Sequence, residues 1–269
     1  MKLTRLALAV AMCALVGIGV FRLYSGDKKP TLSKQLPDHS VTIIPARILK
    51  PSGPPKGFVI YFSDQGGWDD DADHIAHRLA RSGYAVAGID TSVFLAQLSE
   101  GKAACIHPVQ PLMAVARKAQ RDFGWSSYVS PTLAGHGLGA TVVYATLAQA
   151  VPGIFMAGIS YDYGGFIPGN KPWCAANGYQ ANHVTNPHNG WRPGATKQLP
   201  TPWRLIVDGP IAQPLTKVLS VTPNTRKIRA TNEEQAIETI MSSLMPAQTT
   251  PQLPQPSPSF SKTPESLPA

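Results

Sequence analysis

Unbroken apolar runs that alternate with helix-like stretches are the feature that most constrains the fold of this 269-residue chain. The runs are rich in β-branched and aromatic residues and lack the polar alternation of strands with one face in solvent. Such strands must be covered on both faces, and helices between successive strands supply the cover. The pattern therefore predicts an α/β fold with a mainly parallel sheet. The predicted strands are 58–62, 84–89, 128–134, 154–161, 203–207 and 226–230, and the predicted helices are 71–80, 111–123, 141–149 and 231–244.

Two of the predicted helices carry signals at their ends. Acidic residues at 69–73 lie at the start of the first helix, where they complement the positive end of the helix dipole, and Gly83 is placed to end it. The acidic run also has the composition of a cation site, but its position favours the dipole interpretation. The last helix is predicted to begin with a capping box formed by Thr231 and Glu234.

Composition divides the chain into four segments. Residues 1–26 are predicted to be a targeting segment, 27–45 a linker and 46–245 one α/β domain. The stretch 164–198 is dense in Gly, Pro, Asn and Trp and follows neither period, so we expect a loop-rich insertion over the carboxyl ends of the strands, where ligands bind in such folds. Residues 246–269 carry seven prolines and little apolar surface, which predicts a disordered tail.

The first residues predict export from the cytoplasm. Lys2 and Arg5 precede a 16-residue apolar run at 6–21. A secretory signal has a hydrophobic run of roughly 7–15 residues and a spanning helix needs about 20, so a cleaved signal peptide and an uncleaved N-terminal anchor both stay open. No small-x-small cleavage site follows the run, which favours the anchor. A buried core helix is disfavoured because the run has no polar face.

The net charge of +8 does not indicate a nucleic-acid partner. Residues 1–29 contribute +4, and between 46 and 245 the 17 basic and 13 acidic side chains leave another +4. No Lys/Arg run is interleaved with aromatic residues, so the pattern of a nucleic-acid-binding surface is absent from the sequence. A mild attraction to anionic lipid surfaces is expected instead.

Two cysteines lie in the domain that is predicted to be exported. In an oxidising compartment Cys105 and Cys174 are expected to pair. The bridge would close a loop of about 70 residues and stabilise the fold by about 4 kcal/mol. Two free thiols and a shared metal site are the alternatives, but the chain offers no CxxC motif or histidine at ligand spacing. Neither a metal nor another cofactor is predicted.

The strand-turn-helix at 128–149 has the layout of a nucleophile elbow. In α/β-hydrolases a G-x-S-x-G motif lifts a serine above the sheet at this place. Here Gly135 and Gly139 fill the two spacer positions and His136 the first x, but the nucleophile position is Gly137, which has no side chain. A dinucleotide-binding fingerprint is not met, because it belongs on the first strand with an acidic residue about 20 positions later.

The other members of a catalytic triad are incomplete. Asp208 follows the strand at 203–207, where the acid belongs, but no histidine follows the last strand, because the last histidine of the chain is His188. Ser63 and Ser160 lie at strand ends and are alternative nucleophiles, although neither has an identifiable base. A hydrolase that lacks its nucleophile and base loses roughly 10⁶ in kcat, so the sequence predicts a pseudoenzyme.

Three segments resemble the bacterial VirJ/AcvB virulence family. They are FSDQGGWDDDADHIAHRLARSGYAVAGID at 62–90, AGHGLGATVVYATLAQA at 134–150 and GISYDYGGFIPGNKPWC at 158–174. The turn at 64–68 and Asp90 at a strand end match motifs of that family. The resemblance covers roughly residues 57–244 and implies an α/β-hydrolase fold, export, and a connection with virulence and with removal of aminoacyl groups from phosphatidylglycerol.

The resemblance is to the amino-terminal half of AcvB-like proteins, in which the serine is lost and a cysteine pair like that of Cys105 and Cys174 recurs. It implies an accessory domain in the periplasm or on the periplasmic side of the inner membrane. Its expected partners are an anionic or aminoacylated phospholipid, a serine-bearing VirJ-type hydrolase, an aminoacyl-lipid synthase or a secretion-system protein. An active hydrolase of aminoacyl-phosphatidylglycerol or a related ester, and a secretion-system accessory that uses the tail, are the alternatives.

Candidate site residues follow from these segments. His136 and Asp208 are candidate remnants of catalysis, and His183 and His188 in the insertion are either pocket residues or simply solvated. Trp173, Trp191 and Trp203 form either an acyl-chain groove or ordinary packing. The candidate ligand-binding residues are Asp64, Gln65, Gly66, Gly67, Trp68, Gly135, His136, Gly137 and Leu138.

Overall fold

A computed structural model of the protein describes residues 41–210 and 213–244. The predicted targeting segment 1–26 and the predicted tail 246–269 lie outside the described residues, as does most of the linker. The described end of the linker is part of the domain, because Ile43 is buried in the main core. Each helix in the described part of the chain is too short or too polar to cross a bilayer.

The centre of the domain is a seven-stranded sheet with the order β1-β3-β2-β4-β5-β9-β10. Every pairing in it is parallel except that of the edge strand β1, which runs antiparallel to β3. The α/β class and the mainly parallel sheet are therefore confirmed. The strands are β1 (Arg47–Leu49), β2 (Gly57–Phe62), β3 (Tyr84–Ile89), β4 (Thr132–His136), β5 (Gly158–Tyr161), β9 (Trp203–Val207) and β10 (Thr225–Arg229).

Helices cover both faces of the sheet. Alternate residues of β2 point to opposite sides: Val59 and Tyr61 lie in one apolar cluster, and Phe58, Ile60 and Phe62 lie in the other. The helices are α1 (Asp70–Arg81), α2 (Thr91–Glu100), α3 (Val109–Asp122), α4 (Gly137–Gln149), α5 (Gln213–Val221) and α6 (Glu233–Ser243). The first cluster contains buried residues of α1 and α6, and the second contains those of α2, α3, α4 and α5.

The order of the strands creates a crevice beside β2. From β2 the chain passes to β3 on one side, and from β3 it crosses through α2 and α3 to β4 on the other side. Ligands of open α/β sheets bind where the strand order reverses in this way, outside the carboxyl ends of the strands. The loop after β2 and the turn after β4 meet at this crevice.

The insertion at 164–198 packs along α4, beginning at its first turn, where the Gly165 amide donates to Thr141 Oγ1 at 3.1 Å. Its expected position over the carboxyl ends of the strands stays a prediction. The insertion forms a second sheet of three strands, β6 (Ile167–Pro168), β7 (Ala181–Val184) and β8 (Gly190–Pro193). The Tyr144 hydroxyl of α4 donates to the Gly194 carbonyl at 2.9 Å, and the Asn177 amide donates to the carbonyls of Ala148 and Ala150 at the far end of α4. The insertion thereby buries the outer side of a helix that is apolar all round.

A disulfide joins the insertion to the connection between α2 and α3. Cys105 and Cys174 are bonded, with their Cα atoms 5.1 Å apart, so the predicted bridge is confirmed. Beside it the Ile106 amide donates to the Pro172 carbonyl, and the Lys171 ammonium donates to three carbonyls at the end of α2. The bridge therefore fastens one end of the insertion to the main sheet's helical layer.

Several element boundaries differ from those predicted. The helix α2 was not predicted, and β4 begins four residues later than the predicted strand. The cap of α6 is Asn232, whose side chain accepts from the Gln235 amide at 2.9 Å, so the predicted capping box is displaced by one residue. Glu234, which was assigned to that box, instead binds Arg78 of α1.

The last strand of the sheet carries three cations. Arg226, Lys227 and Arg229 of β10 are exposed, and β10 has β9 as its neighbour in the sheet. Charged side chains on an edge strand oppose pairing with a further strand.

The disulfide is expected to supply a large part of the stability. The double substitution Cys105→Ser/Cys174→Ser should lower the free energy of unfolding by about 4 kcal/mol, because it releases a loop whose ends are 69 residues apart. Urea denaturation of the two proteins measures the difference. Reductant should lower the stability of the wild type by a similar amount and leave the double variant unchanged; equal stability of the oxidised wild type and the variant would contradict the prediction.

Candidate functional site

The turn between β4 and α4 depends on three closely packed glycines. A Cβ at Gly135 would lie 2.6 Å from the Gly139 carbonyl carbon, and a Cβ at Gly139 would collide with Phe62 of β2 and with the Ser63 carbonyl that follows it. Gly137, at the nucleophile position, has φ +54°, in the left-handed region that favours glycine. The backbone of a nucleophile elbow is therefore present, pressed against the end of β2.

The Asp64 carboxylate occupies the space that a side chain at position 137 would need. A Cβ built on Gly137 would fall inside the carboxyl group of Asp64. The same carboxylate accepts a hydrogen bond from the Leu138 amide at 2.6 Å. His136, the N-cap residue of α4, makes no side-chain cap, so Asp64 caps this helix from the loop after β2. A negative charge at a helix N-terminus is stabilised by the helix dipole.

This hydrogen bond uses a group that serine hydrolases need for another purpose. Their oxyanion hole consists of the backbone N–H of the residue after the nucleophile and an N–H from the loop after the neighbouring strand. Leu138 is the residue after the nucleophile position, and Asp64 lies in the corresponding loop. Here the Asp64 side chain of that loop supplies an acceptor, and the Leu138 N–H is bound to it.

His136, Tyr161 and Asp208 form a row across three neighbouring strand ends. The His136 ring stacks on Tyr161 with centroids 4.8 Å apart and 12° between the planes. The Tyr161 hydroxyl donates to Asp208 Oδ2 at 2.9 Å. The structure thus brings the two candidate catalytic remnants close to one another with a tyrosine between them.

Neither candidate serine is placed for nucleophilic attack. Ser63 is 1% exposed, and its hydroxyl accepts from the Thr91 amide at 3.2 Å and contacts the Asp64 carbonyl. Ser160 is fully buried, donates to the Ala140 carbonyl at 2.8 Å and accepts from the Trp203 indole at 3.0 Å. Both hydroxyls hold structural hydrogen bonds in the core.

The turn after β2 divides into a structural part and an open part. The Trp68 indole lies against Gly88, where a Cβ would collide with the ring, and the Trp68 amide donates to Asp90 Oδ2 at 3.0 Å. Asp90 also caps α2 by accepting from the Val93 amide. Gln65 and Gly66 are exposed, whereas Gly67 is buried against Asp90. The open part of the crevice is therefore bordered by Asp64, Gln65 and Gly66.

The acidic run before α1 has structural partners. Asp69 is the N-cap of α1 and accepts from the Ala72 amide at 2.9 Å. Asp73 binds the guanidinium of Arg47 in β1 at 2.5 Å and the Trp68 indole at 3.2 Å. These two hydrogen bonds, that of Arg47 foremost, lower the pKa of Asp73 below its ordinary value. Within the described residues no group of three or more His, Cys, Asp or Glu side chains could hold a metal ion.

The candidate tryptophans in and after the insertion mainly fill the core. Trp203 is fully buried and Trp173 is 5% exposed, so neither lines an open acyl-chain groove. Trp191 is half-buried beside His183, whose Nε2 is 2.8 Å from Asn189 Oδ1. His188 is exposed.

Two functional features were not predicted from the sequence. Asp64 was a candidate ligand-binding residue, but its position in place of the missing side chain joins two segments 74 residues apart and has no local signal. Tyr161 was not a candidate at all. Its position at the end of a buried strand beside the strand that ends in His136 is the signal that could have identified it, once the strand order is known.

No protein-family model and no curated protein sequence matches the chain. Among solved structures it is similar to the esterase domain of a Rhodothermus marinus protein, with 13% identity over 75% of this chain and 95% of that chain and a TM-score of 0.45. It is also similar to a putative dienelactone hydrolase from Klebsiella pneumoniae, with 13% identity over 71% of this chain and 86% of that chain and a TM-score of 0.46. Its similarity to esterase PE8 is 14% identity over 75% of this chain and 97% of that chain, with a TM-score of 0.47.

The contact between Asp64 and position 137 can be measured as an energetic coupling. Gly137→Ala should destabilise the domain by about 3 kcal/mol, from the left-handed backbone and the collision with the carboxylate. In an Asp64→Ala background the collision is gone and the cost should fall to about 1 kcal/mol. Urea denaturation of the four proteins gives the coupling energy, which should exceed about 1 kcal/mol.

Gly153→Ala is the matched control for this cycle. Gly153 has φ +85° and open space around its Cβ position, so it carries the backbone cost without the collision. Its destabilisation should be about 1 kcal/mol with or without Asp64. Additive effects of Gly137→Ala and Asp64→Ala would show that the carboxylate does not occupy this space in solution.

Proposed function

We propose that this chain is an exported binding domain of the VirJ/AcvB type that has the fold of a serine hydrolase and does not hydrolyse its ligand. The observation that carries the proposal is the position of the Asp64 carboxylate, which fills the space of the nucleophile side chain and binds the Leu138 amide. An acyl substrate that approached this turn would meet a carboxylate where a serine hydroxyl and an oxyanion donor are required.

The remaining chemistry also supports a loss of hydrolysis. The position after β10 that carries the base in a triad has no histidine, and the hydroxyls of Ser63 and Ser160 are buried in structural hydrogen bonds. Asp208 is bound to Tyr161 rather than to an imidazole. Without nucleophile and base the expected loss in kcat is roughly 10⁶.

The charges at the crevice favour a cationic group on the ligand. Four of the parallel strands, β2, β3, β5 and β9, are followed closely by an aspartate: Asp64, Asp90, Asp162 and Asp208. Because the carboxyl ends of parallel strands lie at one edge of the sheet, these carboxylates share that edge. Of the two headgroup classes that the sequence suggests, an aminoacylated phospholipid carries the matching ammonium group. A simple anionic headgroup does not.

The location and partners belong to the same proposal. The Cys105–Cys174 bridge fits a domain in an oxidising compartment, as expected of a periplasmic protein. A domain that binds an aminoacylated lipid without cleaving it would serve a separate enzyme, such as a serine-bearing VirJ-type hydrolase, an aminoacyl-lipid synthase or a secretion-system protein.

Lipid binding by the full chain tests the proposal. The protein should sediment with phosphatidylcholine vesicles that contain lysyl-phosphatidylglycerol more strongly than with phosphatidylcholine alone, and it should release no lysine. Asp162→Asn/Asp208→Asn should weaken this binding about tenfold, because it removes two exposed carboxylates of the crevice edge. Asn tolerates the left-handed backbone at position 162, where φ is 52°.

A control of equal charge is available away from the crevice. Glu100→Gln/Glu238→Gln removes two exposed carboxylates from α2 and α6 and should leave the vesicle binding unchanged. Equal weakening of vesicle binding by both double variants would show that the net charge alone, and not the crevice, determines the binding. Release of lysine by the wild type, or labelling of the wild type by a fluorophosphonate, would refute the loss of hydrolysis.

A further inference from the structure

Two adjoining cavities open at the amino edge of the sheet, at the opposite end from Asp64. One has a volume of about 330 Å³ and lies between the start of β2 and the loop that precedes β4, and the other, of about 370 Å³, lies between that loop and α3. They share Trp125, Ser126 and Ser127. The six residues of β2 place these cavities roughly 20 Å from the crevice at Gly137.

The charged residues that line the cavities are all basic. They are Lys56 in the first cavity and Arg117 and Arg121 in the second. In the described part of the chain none of the three pairs with a carboxylate, and the nearby Asp122 binds Lys118 at 2.6 Å. Three unpaired cations around one cleft suit a multiply charged oxyanion better than a single carboxylate.

The end of α3 does not account for these cations. Basic residues near a helix C-terminus often serve its free carbonyls. Here the Lys50 ammonium donates to the Phe123 carbonyl, and the amides of Phe123 and Gly124 bond to carbonyls of the last turn. The Arg117 guanidinium instead lies over the Tyr128 ring, 5.8 Å from its centroid.

The loop that carries the cavities is held in place by a buried side chain. Gln120 is 3% exposed, donates to the Val129 carbonyl at 2.8 Å and accepts from the Val129 amide at 2.8 Å. Trp125 packs edge-on against Phe58 of β2, with centroids 6.1 Å apart. The hydroxyls of Ser126 and Ser127 are therefore presented by a loop whose shape is set before any ligand arrives.

We propose that the two cavities form one binding site for a phosphate ester. Lys56, Arg117 and Arg121 contact the phosphate oxygens, Ser126 and Ser127 donate hydrogen bonds to them, and the organic part of the ligand lies against the exposed ring of Tyr128. The site is independent of the crevice at Gly137 and of the function proposed for it. A soluble phosphate ester and the phosphodiester of an anionic phospholipid share this chemistry.

The experiment has one arm for each source, both with the full chain. Isothermal titration with sn-glycerol 3-phosphate tests the soluble ester, and sedimentation with vesicles of 30% phosphatidylglycerol in phosphatidylcholine, against phosphatidylcholine alone, tests the lipid. Arg117→Gln/Arg121→Gln should weaken whichever binding is observed by about fivefold for each charge removed, hence roughly 25-fold. Tyr128→Ser should weaken it by a smaller factor.

Arg81→Gln/Lys217→Gln is the matched control. Arg81 and Lys217 are exposed and line neither cavity. The double substitution removes two positive charges, as the Arg117→Gln/Arg121→Gln variant does. Binding that only the Arg117→Gln/Arg121→Gln protein loses supports the site, and the arm in which it is lost identifies the source of the phosphate. Equal loss in both double variants, or no binding of either probe by the wild type, overturns the proposal.

Discussion

The hydrogen bond from the Leu138 amide to Asp64 joins the loop after β2 to the helix that follows β4, and these two strands are neighbours in the middle of the sheet. The helix α4 is buried on all sides, so the polar groups at its first turn cannot rely on water. Its own N-cap residue supplies no side-chain acceptor. A carboxylate from the end of β2 meets that need, and the glycines around the turn bring the helix close enough for it to do so. The same arrangement excludes a side chain at position 137.

The sequence predicts those parts of the molecule in which a local pattern decides the structure. Apolar runs identified the parallel strands, and Gly83 marked the end of α1, where it has φ +97°. The helix α2 was missed although its buried residues at 91, 94, 95 and 98 have helical spacing, because the exposed apolar residues Val93 and Ala96 obscure that stripe in the sequence. The insertion was expected over the strand ends from the general architecture of such sheets, since its composition reveals no packing partner. Its partner is the outer side of α4, which sequence periodicity cannot indicate.

In the candidate site, too, some features follow from the local sequence and others only from the folded sheet. A glycine at the nucleophile position and the lack of a late histidine can be read directly from the sequence. The occupation of that position by Asp64 and the contact of His136 with Tyr161 arise from strands that are neighbours only in the folded sheet. Local sequence thus predicts which groups are missing, and the strand order determines which groups replace them.

Within the described residues β10 is the last strand of the sheet, and its exposed cations act at that edge. A second copy that added its own β10 to this edge would bring two rows of arginine and lysine to about 4.8 Å, the spacing of paired strands. Repulsion between like charges at that distance opposes growth of the sheet from one molecule into the next. This edge therefore protects the protein from aggregation by strand addition, a hazard for any domain whose central sheet ends in an open strand.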